Sequence, residues 1–315
     1  MSSLDKNYIN KLKLPCTDTL VILNGIYQEK LSDKCDKLIF NEQTFKAPKN
    51  TKIEKPIHLL FLTSKDCNHT INIIAEENSC FTLIEEHAGL KSHSYANNIK
   101  INITAKKSSE ITYYKLQTEN SISTHHAQTT IKQKQNSKIS SGFIGRGAKF
   151  SQDSLQVELI EKNAAYNAIG IIALYGAQTL NYKICIKHLA PNCSSNVLFK
   201  GLINDGATGG FDCLVVVHPN AIKTETHVTN KNLLLSELAT MNTAPALEIY
   251  TDDVICTHGA TVGQLDQEAL FYLRSRGLAE NKATRLLTTA FAQEIIDQFA
   301  AFCRPKITLD TAYEH

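Results

Sequence analysis

The 315-residue sequence contains no CxxC pair, no GxxxxGK[ST] or GxGxxG loop, no GxSxG elbow and no HExxH helix. These absences exclude the commonest nucleotide-binding, hydrolase and zinc-protease sites, though not every enzyme. The nearest lookalike, GFIGRG at 142–147, has neither the fingerprint spacing nor a helical pattern after it. Long apolar runs are also missing. The longest nearly continuous one, 168–177, is about half a membrane span. Charge of one sign is missing too: 33 basic and 31 acidic residues leave a formal net charge of +2, which gives no electrostatic case for nucleic acid. Residues 1–15 are polar and lysine-containing, without the apolar core of a signal peptide. The expectation is a soluble, cytoplasmic protein with no membrane partner. Its nine cysteines are odd in number and irregularly spaced, so they read as reduced thiols.

What is present divides into three parts. Residues 1–56 read as mixed and irregular, with one apolar run at 20–26. Residues 57–262 show no long helical pattern. Instead, short stretches alternate apolar and polar with a period near two, the strand signal. They recur as strand, small polar turn, strand. Aligning the turns at Ser79, Ser109, Ser137, Ala164 and Ser194 gives steps of 30, 28, 27 and 30 residues. A single such unit cannot bury its apolar face, whereas stacked units can, so the period predicts a mainly β solenoid. A β-sandwich is the alternative. Residues 263–303 turn helical. Asp266 is placed to cap a first helix carrying Leu270, Phe271 and Leu273, and Gly277 to end it. Ala283, Leu286, Leu287, Ala290, Phe291 and Ile295 form the expected apolar stripe of a second helix. Residues 304–315 read as a loose tail.

Several residues could carry chemistry. Cys185, His188 and Cys193 resemble part of a metal site, although Cys185 also fits a strand between Ile184 and Ile186. His125 and His126 read as a solvated turn, and His218 and His227 as packing or surface residues. The acid pairs Glu85–Glu86 and Asp252–Asp253 would suit a β-helix carbohydrate lyase or hydrolase. Adjacent acids on a strand, however, face opposite sides and are more often solvated. Cys256 and His258 stand apart. They are two positions apart on an extended segment, with Thr257 between them, so thiol and imidazole share a face. Such a pair suits iron, copper or zinc, but only if another surface completes the site.

The longest distinctive stretch is LEIYTDDVICTHGATVGQLDQEALFYLRSRG at 247–277. With KGLI at 200–203, NLLLS at 232–236 and PALE at 245–248, it resembles the SufB/SufD family of the SUF iron–sulfur cluster assembly system. The weaker landmarks are NG at 24–25 and PI at 56–57. The resemblance is strong over 155–299. HGATVGQLD and FYLRSRG favour the SufD branch, because SufB would carry a glutamate-rich segment at the histidine.

The resemblance implies a right-handed parallel β-helix that pairs edge to edge with SufB, and C-terminal helices at 266–299 that dock the ABC-type ATPase SufC. The docking candidates are Leu270, Phe271, Arg274, Arg276, Leu287 and Phe291. His258 would serve cluster formation at the SufB–SufD interface, with Cys256 matching a family cysteine. Both are candidate ligands for a transient iron or iron–sulfur cluster, with no tightly bound cofactor and no catalytic residue. A homodimer in isolation and a SufB-like paralogue that itself carries the cluster are the alternatives within the family. Two departures stand out. The family has a helical N-terminal domain, whereas residues 1–56 do not read as helices. FSQDS at 150–154 lacks the arginine expected nearby.

Overall fold

The computed structural model describes residues 6–306, apart from 36, 42, 91–93 and 302. Helix α1 (Lys6–Leu12) leads into β1 (Asp18–Leu23) and its antiparallel partner β2 (Ile26–Tyr27), followed by the hairpin β3 (Ile39–Asn41) and β4 (Thr44–Ala47). The next strands are β5 (Ile57–Thr63), β6 (Cys67–Ala75), β7 (Cys80–Gly89), β8 (Ala96–Ala105), β9 (Glu110–Gln117), β10 (Thr124–Gln133) and β11 (Lys138–Gly145). After them come β12 (Phe150–Leu159), β13 (Ala165–Leu174), β14 (Thr179–His188), β15 (Ser194–Ile203), β16 (Thr208–Val217), β17 (Thr224–Leu234), β18 (Thr240–Ile249) and β19 (Val254–Gln264). The chain continues into α2 (Gln267–Ser275) and α3 (Glu280–Ile296).

From β4 onward, successive strands alternate between two sheets. The odd strands form one, ordered β19-β17-β15-β13-β11-β9-β7-β5-β1-β2, and the even strands form the other, ending in β18. Each strand pairs in parallel with the strand two places along; β10, for example, matches β8 and β12 at every one of its ten positions. This is a two-sheeted β-solenoid of about eight turns. A sandwich would pair chain neighbours, and these lie in opposite sheets. One continuous core fills the interior from Leu20 to Met241.

The turns explain the period. Asn50, Asn78, Ser108, Asn136, Asn163, Asn192 and Lys223 all adopt positive φ, between 54° and 61°. Asparagine tolerates that conformation better than most side chains. Each turn's backbone N–H donates to a carbonyl in the next turn, as in Asn50 to Glu77 at 2.9 Å and Asn78 to Lys107 at 3.1 Å. Asn78 also donates its side-chain amide to Asn50 at 2.8 Å, and Asn163 does the same to Asn136 at 2.9 Å. The residue after each left-handed position is Ser79, Ser109, Ser137, Ala164 and then Cys193. Ser194 is therefore one place off, and the last step is 29 residues.

The first 56 residues are more regular than expected. α1 is helical, and β1 pairs in parallel with β5 as part of the odd sheet. Asn24 and Gly25, at φ 48° and 80°, form the two-residue turn into β2. At the other end, Asp266 caps α2 by accepting from Glu268 and Ala269, and Gly277 follows at φ 92°. The stripe on α3 is rotated from the expected one. Ala283, Thr288, Ala292 and Ile295 are buried, while Leu286 and Ala290 face outward. Thr288 is accommodated because its hydroxyl donates to the Thr284 carbonyl at 2.9 Å. Of the expected tail, residues 304–306 form a short 3-10 turn and the rest lies outside the described residues.

Packing in the lumen is tight. A Cβ added to Gly170 would lie 2.0 Å from the Phe199 ring, within the stack of Phe143, Tyr182, Phe199 and Phe211. Gly170→Ala should therefore cost about 1–3 kcal/mol or more in urea unfolding. Gly263→Ala, with open space around it, should change stability by less than about 0.5 kcal/mol. Equal effects would contradict the register of β13 against β15.

Candidate functional site

The Cys256–His258 segment lies on β19, the terminal strand of the odd sheet. Cys256 stands beside Thr226 and His258 beside Val228, and both neighbours are inward-facing residues of the preceding strand. Thiol and imidazole thus share the inner face at the solenoid's open end. Cys256 is half-buried against the core, and burial raises its thiol pKa above the ordinary range. His258 is exposed. Among the described residues, no group of three or more His, Cys, Asp or Glu side chains is arranged to hold a metal ion. The pair alone offers two potential ligands. Exposed apolar groups flank it: Ile249 and Tyr250 at the end of β18, and Ile255 and Val262 on β19.

α3 and the segment after it pack on the outer face of the odd sheet through Ala292, Ile295 and Phe299, against Ile171, Leu202 and Leu233, and α2 packs on α3. Phe271, Tyr272 and Leu286 are left 73%, 56% and 51% exposed. Arg274 and Arg276 are exposed beside them. Arg274 meets Glu280 at 3.2 Å, and Arg276 lies over the Tyr272 ring. Of the other docking candidates, Leu270 is buried, Leu287 is half-buried, and Phe291 is engaged by Lys200. A notch of about 510 Å³ lies beside Phe271, Arg274 and Leu278.

Other candidates separate in space or change character. Cys185 faces outward from β14, His188 faces the lumen, and Cys193 sits in the following turn, so the three do not form one site. His125 and His126 lie within β10, not in a solvated turn. His125 is fully buried, and His126 lines an outer groove with Asn68, Asn98 and Gln152. Glu85 and Glu86 do face opposite sides, but both are fully buried rather than solvated. Glu86 pairs with His58 at 3.1 Å and Lys306 at 2.6 Å on the outer face. Asp252 and Asp253 are exposed between β18 and β19.

The lumen holds an ionic network that the sequence reading missed. His125 lies 2.6 Å from Glu119 and 3.7 Å from Asp153. Lys115 is paired with Asp153 and lies 3.9 Å from Glu85. His87 meets Glu85 at 2.5 Å, and Tyr113 donates to the same carboxylate. These carboxylates hold His125 protonated up to about pH 9 against the penalty of burial. Burial opposes their own charge, but Lys115 and the imidazoles override it, keeping Glu85 and Glu119 ionised down to about 2. Period two carries the signal: Glu85 and His87 continue the inward register of Phe81 and Leu83.

Stability should consequently peak near pH 6.5. Burial holds the pKa of His69 and His188 down to about 4, so below about 6.5 the unfolded chain binds more protons than the folded one. The depressed carboxylates add to that loss below about 4.5. His125 works in the other direction. Its contribution is complete below about 6.5 and is lost as pH rises through about 9. Urea unfolding across pH 4–9 measures the curve. His125→Gln should cost about 3–5 kcal/mol near neutrality, because it leaves buried carboxylates without their cation, and should flatten the alkaline limb. An unchanged alkaline limb would show that His125 is not protonated in the fold.

Residues 62–291 match the family model for the SUF system FeS cluster assembly, SufBD core domain. An iron–sulfur cluster assembly SufBD family protein of Synechocystis sp. is 34% identical over 264 residues, covering 80% of this chain and 58% of the relative. The iron–sulfur cluster assembly protein SufD of Escherichia coli is 29% identical over 250 residues, covering 77% and 59%. The chloroplastic protein ABCI7 of Arabidopsis thaliana is 27% identical over 267 residues, covering 80% and 56%. The chain spans under three fifths of the length of these curated relatives. Among the described residues, no helix is long and apolar enough to cross a membrane. With a two-sheeted solenoid across the matched region and the Cys256–His258 strand at its end, the chain belongs to the SufBD core family of SUF-system iron–sulfur cluster assembly proteins.

Proposed function

We propose that this chain is a non-catalytic scaffold in a SufBCD-type complex. In this reading β18 and β19 pair with SufB, α2 and α3 dock the SufC ATPase, and Cys256 and His258 receive iron or a nascent cluster at the SufB–SufD interface. The cargo is transient, and the protein works in the cytoplasm without a resident cofactor. The observation that carries this reading is the solenoid's open end. There a sheet edge with no strand partner among the described residues bears a thiol and an imidazole on one face, as half a metal site. An unpaired edge is a template for strand addition, and a second subunit can supply the remaining ligands. SufC closure on ATP would move the helix pair and strain that interface, opening His258 to iron or sulfide. A second copy pairing through the same edge would give a homodimer when SufB is absent. The enclosure of Glu85 and Glu86 removes that acid pair from a carbohydrate-active reading, since neither can reach a sugar, and leaves it only the exposed Asp252 and Asp253.

Two measurements test the assignment. In the complex co-expressed with SufB and SufC, His258→Ala should leave native mass unchanged while lowering cluster content, read from visible absorbance and transfer to an apo-protein, at least tenfold. Cys256→Ser should lower it less. Full cluster content in both variants would remove the site from this chain. Separately, Phe271→Ala should weaken SufC binding about 30-fold by calorimetry, the loss typical of an exposed aromatic anchor. Unchanged affinity would move the docking surface elsewhere.

A further inference from the structure

We propose that Lys200, Gly201 and Asn232 form a two-sided joint that ties α3 to the terminal strand β19 and so positions Cys256 and His258. Its purpose rests on the scaffold reading, but its existence does not. Successive side chains of β15 point to opposite faces of the sheet. Lys200 projects outward beneath α3, where its ammonium donates to the Phe291 carbonyl at 2.6 Å and meets the Glu294 carboxylate at 2.6 Å. It also lies 4.7 Å from the centre of the Phe291 ring. This lysine is almost fully enclosed, so those partners take the place of water around its ammonium.

The next residue, Gly201, faces the lumen. A Cβ there would lie 2.4 Å from the Asn232 Oδ1, so the missing side chain makes room for that carboxamide. Asn232 lies beside Gly201 in register on β17. Its Nδ2 donates to the Thr261 carbonyl of β19 at 3.1 Å and to Asn230 Oδ1 at 2.6 Å. Thr261 is three residues beyond His258. β19 has β17 as its ladder neighbour and a largely uncovered inner face, so a side-chain anchor from below adds materially to its hold. The path from Phe291 and Glu294 through Lys200, Gly201 and Asn232 to Thr261 crosses only sheet, with no loop to absorb motion. It also gives a physical reason for the KG pair at 200–201 and for Asn232.

Coupling is an energetic quantity, so a double-mutant cycle tests it. Amide hydrogen exchange of α3 and β19 would be followed in the isolated chain for wild type, Glu294→Gln, Asn232→Ala and the double variant. Glu294 is half exposed on the helix, so its replacement is compatible with folding; Lys200→Met is the stronger companion variant. Glu294→Gln should speed exchange across β19 about three- to tenfold, the range expected for one weakened hydrogen bond. That effect should vanish in the Asn232→Ala background. Faster exchange confined to α3, or additive effects on β19, would overturn the joint. The same exchange measured with SufC and ATP separates the two ideas. A nucleotide-dependent change in β19 that Asn232→Ala abolishes supports both. Failure to bind SufC would count against the scaffold reading and leave the joint to its own cycle.

Discussion

Everything in this molecule depends on the in-register parallel stacking of strands two apart in the chain. No turn of the solenoid can bury its apolar face alone, so each one needs a neighbour on both sides. Interior turns have that neighbour. The last turn does not, and an open end follows from the architecture itself. β18 and β19 therefore carry exposed side chains and edges unpaired among the described residues, whereas strands of similar length in the middle are buried at every second position. Leaving such an edge bare invites aggregation unless something covers it. In the scaffold reading proposed above, the thiol and imidazole placed there would turn an architectural cost into a shared surface.

The same stacking explains the ionic interior. A charge inside a solenoid is tolerated only if neighbouring turns deliver its partners, because water cannot. Lys115 and Asp153 are 38 residues apart, and Cys67 and Asn97 are 30 apart, so these contacts exist only in the correct register. A slip by one residue would expose every inner side chain to the wrong face and strand the charges. The network is thus a register device as well as a pH-dependent one. It occupies β7 to β12, well away from the Cys256–His258 end.

The fold was legible because period-two alternation and a recurring small turn are both local signals. The helix start at Asp266 was legible for the same reason, since a cap needs only its own three residues. What was not legible depended on distant partners. His125 looked like a turn residue because polar neighbours interrupt the apolar pattern, and nothing local reveals Glu119 and Asp153 converging on it. Ser194 displaced Cys193 in the turn alignment because serine is the commoner turn residue; only the left-handed Asn192 fixes the register. On α3, Leu286 looked like core and Thr288 was left out of the expected stripe. The sheet beneath reverses this, and the Thr284 carbonyl satisfies the hydroxyl. The shared face of Cys256 and His258 was legible from spacing, and their place at the end of the solenoid from the switch to a helical pattern after 262.

An incomplete site also suits a passing cargo. A closed set of four ligands would hold iron or a cluster too firmly to release it, as structural metal sites do. On the scaffold reading, a thiol whose proton is held more tightly by burial and an exposed imidazole would form a weak, open pair until a second surface arrived. Affinity then depends on how the two surfaces meet, which makes the position of β19 the quantity to control. β19 is held by one ladder, by the chain running on into α2, and by the Asn232 carboxamide beneath it. A lever on the helices could reach Cys256 and His258 only through those attachments, and on the scaffold reading a small shift of that terminal strand would make or break the shared site.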